Sequence, residues 1–286
     1  ELCPALGVCI PVGKDSLSMR TLWHTPDGTQ ERMTAPLSLL VSSFATVNDV
    51  RKAVTPDLKP GDTLLLLIDL GGGKNRLGCS ALAQVYEQVG GDTPDLDDPA
   101  LFVRFFAAMQ ELLERGLLFA YHDRSDGGLL VTLAEMAFAG RTGITMTTTL
   151  RDDALLRAMF AEELGAVIQI AADDHPAVEA VMRAHDLLPY VSVIGAPNAT
   201  RTIEIRDGAT LLYHAPLAAL QQQWADVSYH MQALRDNPTC ARQEYDALLD
   251  TRDPGIQAKP SFDPTARFAI NGTRPRVAIL REQGIN

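Results

Sequence analysis

Residues 63–70 read Thr-Leu-Leu-Leu-Leu-Ile-Asp-Leu, an almost continuous apolar run of strand length. A strand with one wet face alternates polar and apolar residues; a run without alternation is covered on both faces. Such a strand needs a layer above and a layer below it, and the next 150 or so residues supply candidates for both. Ala81, Leu82, Val85 and Tyr86 recur at helical spacing. Asp98 is placed to cap a helix with Pro99 at its first position and Gly116 past its end. The apolar face of that helix is Leu101, Phe102, Phe105, Phe106, Met109, Leu112 and Leu113. A further helix is predicted over 129–139, stopping at Gly140, and another from Asp174 and Pro176 to near His185. Strands are predicted at 143–147, 165–171, 190–194, 202–205 and 210–213, the last two joined by a hairpin through Arg206-Asp207-Gly208-Ala209. This interleaving predicts an α/β fold, helices packed on a mixed sheet, rather than a doubly wound parallel sheet.

The flanks differ in character. Residues 1–46 read as the end of one unit, with a short apolar run over 7–12, a strand over 20–23 and a turn at Pro26-Asp27-Gly28-Thr29. A buried strand is predicted between Pro36 and Val47, and a boundary at 56–61. Residues 215–249 predict two helices, the first opened by Pro216 and the second by Asn237-Pro238. Residues 250–274, rich in Asp, Pro, Gly and Thr, predict a linker, and 276–280 a new strand. The chain opens at Glu1 without a methionine, and we expect it to be a piece of a longer polypeptide.

Charge and cysteine usage exclude several classes. The formal net charge of −11 argues against a nucleic-acid-binding face, which needs a basic excess. No apolar run approaches the ~18 residues of a membrane-spanning helix. Cysteines 3, 9, 79 and 240 make no Cys-x-x-Cys pair, so neither a zinc site nor a disulfide framework is suggested, and a reducing, cytoplasmic setting is expected.

Four stretches carry candidate chemistry. The first is His122-Asp123-Arg124-Ser125-Asp126-Gly127-Gly128, between a short apolar run and a helix. Paired glycines let backbone N–H groups approach an anion, a helix start adds unpaired donors, and Asp123 and Asp126 are hard oxygen ligands of the kind Mg²⁺ takes. The alternative is a plain strand-to-helix turn in which Ser125 or Asp126 caps the helix. The second, residues 71–78 (Gly-Gly-Gly-Lys-Asn-Arg-Leu-Gly), resembles a phosphate cradle but lacks the lysine of a P-loop, since Cys79-Ser80 follows Gly78; a flexible turn is the stronger reading. The third, Gly13-Lys14-Asp15-Ser16-Leu17-Ser18, offers a cation for phosphate and a carboxylate for Mg²⁺, or is a solvated loop. In the fourth, Glu162 and Glu163 precede a buried strand, more often a solvated helix end than a ligand pair. No Ser/His/Asp or Cys/His nucleophile arrangement is legible.

The motifs Glu1-Leu2-Cys3-Pro4, Pro11-Val12-Gly13-Lys14-Asp15-Ser16-Leu17-Ser18-Met19, Tyr121 to Leu129, Glu162-Glu163-Leu164-Gly165-Ala166 and Arg274 to Asn286, in that order, closely resemble the large single-chain phosphoribosylformylglycinamidine synthases (formylglycinamide ribonucleotide amidotransferases). That family belongs to the superfamily of aminoimidazole ribonucleotide synthetase. The resemblance implies an aminoimidazole ribonucleotide synthetase C-terminal-type α/β domain over 55–214. Before it, 1–54 would end the second N-terminal-type, sheet-forming domain. After it would come a helical segment and linker over 215–274 and the start of a glutaminase domain over 275–286. It implies a ligase of purine biosynthesis that uses ATP and glutamine to convert formylglycinamide ribonucleotide to the amidine, with Mg²⁺ and ATP or ADP bound. The partners would be the rest of the same polypeptide, with no nucleic acid and no membrane. By the same resemblance Asp15 and Asp123 are candidate metal ligands. Lys14, Ser16, Ser18, Gly127 and Gly128 are candidate nucleotide contacts, and Glu162 and Glu163 stand where the other half of the synthetase binds substrate. The Ser-Gln that follows the glutamate there is absent here, which weakens that last assignment. The piece alone is expected to be inactive; the alternative is a scaffold half that holds a structural nucleotide and positions the glutaminase domain.

Overall fold

Leu65 and Leu66 point to opposite faces of one sheet, and each is fully buried in a different cluster of side chains. The computed structural model in which this is seen describes residues 2–14, 19–35, 38–47, 49–253, 258–266, 276 and 278. The chain divides into two compact units, Glu1–Leu249 and Asp250–Asn286. The described residues of the second unit include no helix and no strand.

The first unit begins with a five-residue helix, α1 (Leu2–Leu6), and a two-stranded antiparallel sheet of β1 (Arg20–His24) and β2 (Gln30–Thr34). Their turn is set by Gly28 at φ 85° and by Asp27, whose carboxylate accepts from the Thr29 N–H at 3.2 Å. Both strands are exposed throughout. The buried strand predicted between 36 and 47 is not formed: residues 38–47 have no regular structure, and Leu40 and Phe44 are 94% and 95% exposed. An apolar run becomes a buried strand only beside a partner, and among the described residues β1 and β2 pair with each other alone.

The main sheet has seven strands: β3 (Thr63–Asp69), β4 (Ala120–Asp123), β5 (Gly143–Thr147), β6 (Gly165–Ala171), β7 (Val191–Asn198), β8 (Thr202–Asp207) and β9 (Thr210–Pro216). Their order is β4-β6-β3-β7-β5-β8-β9. All neighbours are antiparallel except β5 and β8, so the sheet is mixed, as the interleaved pattern predicted. β3 lies between β6 and β7, and its two faces are buried in different side-chain clusters, which accounts for its lack of polar alternation.

Helices cover both faces. On one, α3 (Pro99–Glu114) and α6 (His175–Ala184) bring Phe105, Met109, Leu112 and Met182 onto Leu66, Ile68, Ile168 and Ile170. The start of α3 is as predicted, with the Asp98 carboxylate accepting from the Ala100 N–H at 2.9 Å and Pro99 in the first turn. On the other face, α4 (Gly128–Gly140) brings Leu129, Leu133 and Met136 onto Leu65, Val167, Ile144 and Ile203. The same cluster takes Met159 from α5 (Asp152–Phe160) and Leu217 from α7 (Leu217–Arg235). Sequence reading predicted no helix at 152–160; only Met159 of α5 is fully buried, so its apolar signal is faint. A short helix, α2 (Ala81–Val85), follows β3, and α8 (Pro238–Ala247) packs back on α7. No helix among the described residues is long and apolar enough to cross a membrane.

Candidate functional site

The ends of β3, β4 and β6 meet at one edge of the sheet: Asp69 pairs with Gly165, and Asp123 pairs with Ala166. Arg124, just past β4, is buried there. Its Nε donates to the Glu163 carbonyl at 2.6 Å, and its Nη2 donates to the Leu164 carbonyl at 3.1 Å and to Asp69 Oδ1 at 2.5 Å. Asp69 also accepts from the N–H groups of Gly71 and Gly73, at 3.1 and 2.8 Å. One buried ion pair therefore ties three strand ends to the start of the glycine-rich loop. A charge in such a place is retained only when paired and fully hydrogen-bonded.

Glu163 completes the tie. Its side chain is fully buried, and both oxygens are committed to Arg76. Oε1 accepts from the Arg76 backbone N–H at 2.9 Å and from Nε at 2.8 Å, and Oε2 accepts from Nη2 at 2.7 Å. Burial alone would raise the Glu163 carboxyl, but the hydrogen bonds and charge of Arg76 outweigh it, so the net direction is down. Arg76 reaches on to Asp97, which also pairs with Lys74. Gly71 has to be glycine, since a Cβ there would lie 2.7 Å from the Glu163 carboxyl.

Glu162 faces the other way. Its Oε1 accepts from the Ala81 N–H at the start of α2 and from the Gly127 N–H at the start of α4, each at 2.8 Å. This replaces the predicted cap by Ser125 or Asp126, since the first turn of α4 has no side-chain cap of its own. Glu162 and Glu163, expected from the resemblance to stand where substrate binds, hold the loops around the strand ends: three of their four carboxylate oxygens accept from protein donors. Gly127 and Gly128, predicted to offer amides to an anion, likewise serve the chain itself. The Gly127 N–H goes to Glu162 and the Gly128 N–H to the Ser125 carbonyl at 2.9 Å. Gly128 has φ 71°, and a Cβ there would lie 2.7–2.8 Å from the backbone of Met159 and Phe160.

Asp123 is different: it is exposed, and its Oδ1 accepts from the Tyr121 hydroxyl at 2.6 Å. Burial, and then this bond, push the Tyr121 phenol up, so it stays a donor. Among the described residues no protein donor engages the other carboxylate oxygen. Mg²⁺ keeps several waters and takes one or two carboxylates together with phosphate oxygens, so Asp123 fits as one ligand of such an ion. No group of three or more His, Cys, Asp or Glu among the described residues could hold a metal by itself. Lys14 is exposed in a segment without regular structure, and Asp15, Ser16 and Ser18 lie outside the described residues.

A cleft of about 520 Å³ opens on the α4 side of the sheet, next to this edge. Leu67, Met146 and Ile194 floor it; Asp69 and Arg124 stand at one side and Thr147, Thr148 and Asp207 at another. None of the candidate ligand residues lines it, although Asn75 and Arg124, from two of the candidate stretches, do. Asp69, Arg76 and Arg124 escaped that reading, although Arg124 sits within the motif and Asp69 is the one charge in the apolar run.

Residues 59–208 match the family model described as AIR synthase related protein, C-terminal domain, and residues 1–46 match the FGAR-AT PurM_N-like domain. The first match covers more than half of the chain. The chain belongs to the AIR synthase-related family. Asp69, Arg76, Arg124 and Glu163 all fall inside the matched AIR synthase-related domain. Among solved structures, T. maritima PurL complexed with ATP has a TM-score of 0.46 and 15% identity, over 60% of this chain and 27% of that one. T. maritima PurL complexed with FGAR has a TM-score of 0.45 and 15% identity, over 60% and 30%. E. coli HypE, a hydrogenase maturation protein, has a TM-score of 0.38 and 18% identity, over 53% and 48%. The chain thus spans about a quarter to a half of the structures it resembles, and the family assignment rests on the domain models.

Proposed function

We propose that this chain is part of an ATP- and glutamine-dependent ligase that converts formylglycinamide ribonucleotide to formylglycinamidine ribonucleotide in the cytoplasm. The observation that carries the reading is domain order: an FGAR-AT PurM_N-like segment directly precedes an AIR synthase-related C-terminal domain. In this reading ATP activates the amide oxygen, and ammonia from a downstream glutaminase domain displaces it. The chain alone does not turn over. The test is an assay of the full-length protein for product formation that requires ATP, glutamine and formylglycinamide ribonucleotide together, run beside the 286-residue chain. Absence of activity in the full-length protein overturns the reading; turnover by the short chain overturns its inactivity.

Within that enzyme, we place this half in a supporting role: it holds a magnesium-bound adenine nucleotide, with Asp123 and Asp15 as metal ligands and Lys14, Ser16 and Ser18 beside the phosphates. The commitment of Glu163 to Arg76 favours this over direct substrate binding, since both of its carboxylate oxygens accept from Arg76 and its side chain is fully buried. The bound Mg²⁺ would neutralise phosphate charge. Tyr121 and Arg124 hold Asp123 and its loop in place, and Gly127 and Gly128 let α4 begin close behind it.

A further inference from the structure

Trp224 lies on α7, 89 residues after Glu135, yet the two side chains meet: the indole Nε1–H donates to Glu135 Oε1 at 2.9 Å. The other oxygen of Glu135 is 3.1 Å from His122 Nε2. The Nδ1 of His122 is 2.7 Å from the carbonyl oxygen of Asp123, which can only accept, so Nδ1 donates. Thr132, one turn before Glu135 on α4, sends its hydroxyl toward the same carbonyl at 3.4 Å and donates to the Gly128 carbonyl at 3.0 Å. A line of contacts therefore runs from α7, through α4, to the backbone of Asp123.

Strand geometry gives this line its meaning. Successive side chains on β4 alternate between faces. His122 faces α4, whereas Tyr121 and Asp123 face the other side, where the tyrosine hydroxyl holds the Asp123 carboxylate. Asp123 is thus gripped twice, at its carbonyl from the α4 side and at its carboxylate from the opposite side. Trp224 is also gripped twice, at its N–H by Glu135 and at its ring by Phe138, with ring centroids 5.9 Å apart. Glu135 belongs to both grips. At 58% exposure, Trp224 is held by these two contacts more than by burial.

We propose that Glu135 is a positioning residue that couples the seat of α7 to the Asp123 loop, so that occupancy of Asp123 by a magnesium-bound adenine nucleotide is sensed at Trp224. The inference rests on the reading of Asp123 as a metal ligand. Groups that hydrogen-bond a metal ligand directly change metal affinity by about 10–100-fold when removed; Glu135 acts one contact further out, through His122.

The chain has two tryptophans, so Trp23→Phe leaves Trp224 as the sole reporter. Mg-ADP is titrated into this 286-residue variant, following heat and indole emission together. Coupling predicts that binding shifts the Trp224 emission, and that Glu135→Leu weakens Mg-ADP several-fold, up to about the tenfold of a direct contact to the ligand, and abolishes the shift. Glu135→Gln restores both, because its carbonyl accepts from the indole and its amide donates to His122 Nε2. Trp224→Phe keeps the ring on Phe138 and deletes only the N–H; in that variant, heat alone is followed, and Mg-ADP weakens without loss of helix content. Binding heat with no change at Trp224, or equal affinity in Glu135→Leu, overturns the coupling while leaving the Asp123 site standing. Absence of any binding heat overturns the site and the coupling with it.

Discussion

Arg76 grips Glu163 with its backbone as well as its guanidinium, so a buried carboxylate and a loop amide are locked in one contact. The loop after β3 is held to the strand end of β6 through this pair and the neighbouring Asp69–Arg124 pair. Removing one partner of a buried pair leaves an uncompensated charge and costs roughly 3–5 kcal/mol. Arg76→Leu is therefore expected to lower thermal stability sharply. In Arg76→Leu/Glu163→Leu no buried charge is stranded, so the double variant should recover part of the loss. A double-mutant cycle by denaturant unfolding measures this; simple additivity would contradict the pairing.

The same pair has an acid limit. The folded Glu163 carboxyl titrates below its ordinary value of 4.5, so its contribution is fully present above that pH and is lost as pH falls through the lowered value. The stability gap between wild type and Arg76→Leu should be wide at about pH 7 and should narrow as pH falls below 4.5 toward about pH 3. Melting curves across that range check it, and a gap that widens in acid would contradict it.

Glycines in this region separate by what surrounds them. Gly128→Ala meets both a left-handed backbone, φ 71°, and the backbone of Met159 and Phe160. Gly73→Ala meets a similar backbone, φ 78°, with nothing within 4 Å. Backbone strain alone costs about 1–3 kcal/mol, so Gly73→Ala should fall in that range and Gly128→Ala beyond it. Comparative unfolding in urea decides the order.

Much of the fold was legible because its signals were local. The unbroken apolar run at 64–68 predicted a doubly covered strand, and Asp98-Pro99 with Gly116 bounded α3. The strand at 36–47 was predicted from apolar content, which promises burial only where a partner exists. α5 was missed because its inner face is small. Of the site, the motif at 122–128 was legible, but the work of its glycines was not. The bonds that decide it join residues 35 to 87 positions apart, as Gly127 joins Glu162 and Arg76 joins Glu163. Those bonds depend on β6 lying between β3 and β4, which local sequence does not encode.

Asp98→Ala offers a control remote from the site. It removes the bond to the Ala100 N–H and should cost about 1 kcal/mol. Stability should fall while nucleotide binding by the full-length protein stays unchanged, which separates general loosening from damage to the Asp123 loop.

Asp123, in the function proposed above, helps hold a magnesium-bound adenine nucleotide. Calorimetric titration of the full-length protein with Mg-ADP, wild type against Asp123→Ala, tests it most directly. Binding at this site that disappears or weakens at least about tenfold in the variant is predicted, since a first metal ligand should matter no less than the contacts that orient it. Equal stoichiometry and affinity in the two proteins would remove Asp123 from the nucleotide site.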